Sequence, residues 1–90
     1  MYLIRYLCGK LPMPTIDFFN GIKVCVYNGD HRPPHIHAQY NEFEVLIQIE
    51  DAAIYAGELP NKQLKLVFDW LSGNSDWALE VFYELNPQLK

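Results

Sequence analysis

Cysteine, positive charge and long apolar runs are all scarce in this chain, and each scarcity excludes something. Two cysteines in 90 residues, Cys8 and Cys25, are too few for a disulfide framework, and they lack the C-x-x-C spacing of a zinc or redox site. That usage suits a reducing cytosol, so a cytoplasmic location is expected. No apolar stretch approaches the ~18 residues that cross a bilayer. Arg5 also interrupts the one stretch, Met1 to Leu11, that resembles the core of an export signal. Seven Lys and Arg stand against eleven Asp and Glu, a net charge of −4, which argues against a protein coated in basic surface for holding long nucleic acid. What is present is a hydrophobic half with 14% aromatics, too apolar for a disordered chain. The length bounds one small domain whose thin core leaves room for homo-oligomerisation.

Charge is unevenly spread. Residues 1–40 carry Arg5, Lys10, Lys23 and Arg32 against Asp17 and Asp30, a net of +2. Residues 41–90 carry nine carboxylates against Lys62, Lys65 and Lys90, a net of −6. Any anion-friendly surface is therefore expected in the N-terminal half.

From Ile22 to Tyr27 the residues alternate, with Ile22, Val24 and Val26 on one face and Lys23, Cys25 and Tyr27 on the other, which is the period of a strand. Asn28-Gly29-Asp30 and Pro33-Pro34 then supply turn chemistry. Alternation resumes from His35 to Tyr40 and places His35, His37 and Gln39 on one face. A tight turn at Asn41-Glu42 leads into Phe43 to Ile49, where Phe43, Val45, Ile47 and Ile49 form a core-facing row. A modest further strand is expected over Ala53 to Gly57.

Beyond Pro60 the period becomes helical. Leu64, Val67, Phe68 and Leu71 form one apolar stripe and Ala78, Val81, Phe82 and Leu85 a second, with Gly73 placed to end one helix and Ser75 to cap the next. The Asn86-Pro87 pair stops the second. The expected fold is α+β, a small antiparallel sheet of three or four strands followed by two C-terminal helices packed on one face. Residues 1–12 read as an N-terminal extension able to add an edge strand, and residues 13–90 as a single domain.

The chemistry-bearing cluster is Asp30-His31-Arg32-Pro33-Pro34-His35-Ile36-His37, which holds all three histidines of the chain. Two imidazoles on one strand face lie ~6–7 Å apart at Cα and titrate near neutral pH, as an acid and a base flanking a phosphodiester would need to. In that reading His35 and His37 are catalytic in a metal-independent RNA cleavage. Arg32 and Lys23 bind the phosphate, and Tyr27 or Tyr40 stacks on a base. A second reading gives His35 and His37 to a metal ion, with Asp30 or His31 as a further ligand. A third makes the histidines structural, orienting the strand after the double proline, and a fourth leaves them to ligand or partner contact. No cofactor is called for by any other motif. Trp70 and Trp77 read as core or interface. Glu80 and Glu84, a like-charged i, i+4 pair, read as solvated or facing a cationic partner. Cys25 reads as a small buried or half-buried filler.

The order Met13-Pro14-Thr15-Ile16, Phe19, Gly21-Ile22, Tyr27, Asp30-His31-Arg32-Pro33-Pro34-His35-Ile36-His37 and Gly57-Glu58-Leu59-Pro60 resembles the small bacterial proteins grouped as domain of unknown function 4160. The resemblance spans most of residues 13–72. In this chain the family's N-D-H run is spread over Asn28-Gly29-Asp30-His31, and residues 1–12 precede its usual start. Members are often encoded beside another small protein in an arrangement like a toxin-antitoxin pair, so the resemblance implies a cognate antitoxin-like partner. The order of histidine strand, hairpin, G-x-L-P and helix is similar, more distantly, to HicA-type mRNA interferase toxins, in which a strand histidine serves catalysis. Two functional expectations follow. One is an RNA-cleaving toxin of a toxin-antitoxin-like module, using His35 and His37. The other is a non-catalytic regulatory or protein-interaction module with a structural histidine strand.

Overall fold

The computed structural model describes residues 15–27 and 33–89. Among them the order is β1 (Thr15–Phe19), β2 (Ile22–Cys25), β3 (His35–Tyr40), β4 (Phe43–Gln48), β5 (Ile54–Glu58) and α1 (Asn61–Leu85), then a short 3-10 turn over Pro87–Leu89. The strands form one antiparallel meander in sequence order, and the helix lies across one of its faces.

Turn chemistry sets the register. Asn20 and Gly21 both take positive φ, 50° and 78°, the geometry of a two-residue hairpin whose twist matches its strands, and Phe19 pairs with Ile22 across it. Between Tyr40 and Phe43 the two-residue turn has positive φ only at its first position, Asn41, at 53°. Asp51 Oδ1 accepts the Ala53 backbone N–H at 3.1 Å, which steadies the turn from β4 into β5.

Once register is set, the pleat decides what is buried. Ile22, Val24, Val26, Ile36, Ala38, Val45, Ile47 and Ile49 project to one side and meet Val67, Leu71, Ala78 and Phe82 of α1. Each large side chain buried there contributes ~1.5–3 kcal/mol. At the β1 edge Trp70 donates Nε1–H to Asp17 Oδ2 at 2.7 Å, and its ring stacks on Phe19. At the other end Asn86 Nδ2 donates to the Tyr27 carbonyl at 3.1 Å, tying the helix terminus to the end of β2.

The fold class is α+β, with two corrections of detail. The sheet has five strands among the described residues, because Thr15–Phe19 pairs with β2 through the Asn20-Gly21 turn. The two expected helices are a single helix of 25 residues running through Gly73 and Ser75. The two stripes are in phase, since Leu64, Leu71, Ala78 and Leu85 fall seven residues apart along one side. Core packing on both sides of Gly73 therefore outweighs the ~1 kcal/mol a mid-helix glycine costs. The extension over residues 1–12 and its possible edge strand lie outside the described residues.

Candidate functional site

The site is built on the sheet face opposite the helix. Successive side chains alternate across a strand, so pairing Cys25 with His37, His37 with Leu46, and Gln39 with Glu44 brings β2, β3 and β4 residues together there. His35 and His37 share that face, with ring centroids 5.1 Å apart. Tyr27 stacks flat on His37 at 3.9 Å, with 8° between the planes.

Each imidazole is tied down by a neighbour. The Pro33 carbonyl lies 2.7 Å from His35 Nδ1, and the Glu44 carboxylate 3.0 Å from His37 Nδ1. Carbonyl and carboxylate oxygens only accept, which assigns the proton to Nδ1 in both rings and puts basicity on Nε2 in the neutral forms. Gln39 Nε2 donates to the same Glu44 oxygen at 3.4 Å. His35, the first residue of β3, packs against Tyr55 of β5 and also reaches Phe82 of α1, at 5.3 and 6.0 Å between ring centroids, so unlike His37 it is not confined to the face away from the helix.

Burial separates this arrangement from an open catalytic pair. His35 is wholly buried and His37 is 6% exposed. A general acid or base must come within hydrogen-bonding reach of its substrate, and neither ring is presented at an open surface. Two surface grooves, one along Trp77 to Pro87 and one between Ile49 and Ser75, include neither histidine.

The other expected site residues divide into three groups. Tyr27 joins the histidines, and Lys23 lies half-buried on the same face across from Gln39. Tyr40 is on the helix side, packed against the core, so it is not placed with His35 and His37. Asp30, His31 and Arg32 lie outside the described residues, and among those described no group of three or more His, Cys, Asp or Glu is placed to hold a metal ion. Cys25 is fully buried, as its strand position implies, but it is disulfide-bonded rather than a simple thiol filler. Cys25 therefore lends no support to a reducing compartment. The chain's other cysteine, Cys8, lies outside the described residues.

Glu44 was missed as a site residue, although its signal was present. Closing the hairpin at Tyr40 and Phe43 pairs Gln39 with Glu44 and sets the carboxylate diagonal to His37, within reach of a long side chain.

The family model described as Domain of unknown function (DUF4160) matches residues 21–82. The chain belongs to this family. The DUF4160 match takes in β2 through most of α1, and so the whole histidine strand, its Glu44 partner and the β5 edge. It begins later and ends later than the resemblance over residues 13–72. Neither the curated proteins nor the solved structures give a match to this DUF4160 chain. No helix among the described residues is long and apolar enough to cross a membrane.

Proposed function

We propose that this DUF4160 member is a non-catalytic protein-interaction module in which His35 and His37 are structural. The observation that carries this is the enclosure of the pair: His35 is buried with Nδ1 on the Pro33 carbonyl, and His37 lies between Tyr27 and Glu44 with 6% exposure. In that setting the rings fix where β3 begins and how β2, β3 and β4 pack on the face away from the helix. A buried, hydrogen-bonded, stacked imidazole stabilises a small sheet by filling volume that an apolar residue could fill only at the cost of the Pro33 and Glu44 partners.

The test is cleavage of a mixed RNA substrate in EDTA by the wild-type chain, His35→Ala and His37→Ala, with denaturant unfolding of all three. The expected result is no histidine-dependent cleavage, and a loss of ~1–3 kcal/mol for His37→Ala from the lost stack and charge-assisted hydrogen bond.

One observation favours a second reading. A carboxylate holding Nδ1 of an imidazole, as Glu44 holds His37, is also how a general base is oriented. In that reading the chain is a metal-independent endoribonuclease, a toxin held by an antitoxin-like partner. Cleavage in EDTA that disappears in a folded His37→Ala chain would establish it in place of the first.

A further inference from the structure

The last three turns of α1 break two local rules at once. Asp76, Glu80 and Glu84 follow at i, i+4 and i+8, where like charges repel, and Glu84 sits in the last turn, where the helix dipole disfavours negative charge. No Lys or Arg stands between Lys65 and Lys90 to offset them. None of the three makes an ion pair among the described residues. Beside them runs a groove with Leu79 and Tyr83 in its floor and Pro87 at its end. Trp77 stands at its lip, 43% exposed, touching Trp70 only edge-on. A large aromatic and three repelling carboxylates do nothing for the core at these positions. Such local conflicts collect where a surface serves a partner.

We propose that this groove docks an arginine-rich segment of a partner protein, which rests on the interaction-module reading above and gives it a partner chemistry. Guanidinium matches the lining on both counts. It takes carboxylates through paired N–H donors and stacks on an indole face, while an apolar neighbour on the same segment fills the floor over Leu79 and Tyr83. The second half of the chain is strongly acidic, so the complementary surface is cationic, and nucleic acid is repelled from this face.

The full-length chain is titrated with a short synthetic arginine–leucine peptide, and with the same peptide carrying Glu for Arg, by calorimetry and by backbone amide shifts. Only the cationic peptide is expected to bind. Its shifts should centre on residues 76–84, and affinity should fall at least about tenfold in Asp76→Asn/Glu80→Gln/Glu84→Gln and in Trp77→Ala. The neutralised triple variant relieves helix repulsion and remains folded, which far-UV circular dichroism confirms before titration. Equal binding by the triple variant, shifts centred on another face, or self-association through residues 76–84 in sedimentation would each overturn the proposal. If binding fails and no histidine-dependent cleavage is found, the module reading stands with a different surface. Histidine-dependent cleavage removes the reading itself.

Discussion

Asn86 shows how one side chain can hold the two layers of the protein together. It is fully buried, and its Nδ2 group donates both to the Tyr27 carbonyl at the end of β2 and to the Phe82 carbonyl at 3.0 Å in the last turn of α1. Its backbone N–H closes the helix on Phe82 as well. One side-chain amide thus bonds a carbonyl at the end of β2 to a carbonyl in the last turn of α1, joining the two layers. Asn86→Ala is expected to cost ~1–3 kcal/mol. Asn86→Asp should cost more, because a carboxylate supplies no donor and sets negative charge against both carbonyl oxygens. Urea midpoints of the two variants check the order, and an alanine variant as stable as wild type would show that the amide does not pin the helix end. The histidines are a contrasting case of legibility at this scale. Period-two alternation was enough to place His35 and His37 on one face, because that depends only on the pleat. Their burial was not readable, because it depends on what covers the face from elsewhere in the chain.

Turns and helix breaks depend on backbone conformation, and the two glycines Gly57 and Gly73 separate the cases where it matters. Gly57 sits in β5 at φ +80°, and an added Cβ would lie 2.2 Å from the Glu44 carbonyl oxygen. Both the conformation and the close approach demand glycine. Gly73 is in α1 with nothing within 4 Å of a Cβ built on it. Gly73→Ala should therefore stabilise by up to ~1 kcal/mol through better helix propensity. Gly57→Ala should destabilise by more than that and disturb β4, whose Glu44 holds His37. Thermal unfolding of the pair gives opposite signs, and a destabilising Gly73→Ala would mean the helix uses its glycine for something other than continuity. The same contrast explains which elements the sequence made legible. The Asn41-Glu42 hairpin and the Asn86-Pro87 stop were readable because local chemistry decides them. The helix break expected at Gly73 was wrong because stripe phase, a property of the whole segment, outweighs one residue's preference. The hairpin at Asn20-Gly21 carried an equally local signal, and recognising it would have supplied β1.

Across the whole molecule, cohesion and exposure are distributed in a way that bears on function. β3 is central, with its first four residues buried and both neighbours paired, and it carries the histidines. Among the described residues β5 is an edge strand, with all five of its residues exposed, including Ile54 at 48% and Tyr55 at 40%. Local opening free energies should follow this gradient, because an edge strand opens by losing one ladder whereas β3 opens only with the core that α1 seals. Amide hydrogen exchange is expected to be slowest in His35–Tyr40 and the β2 and β4 residues that pair with it, and fastest in Ile54–Glu58. A catalytic strand that had to admit substrate between its histidines would be drawn from the low-stability end. A structural one belongs at the high end. Exchange in His35–Tyr40 as fast as in β5 would therefore count against the structural role of the pair, even if no RNA were cleaved.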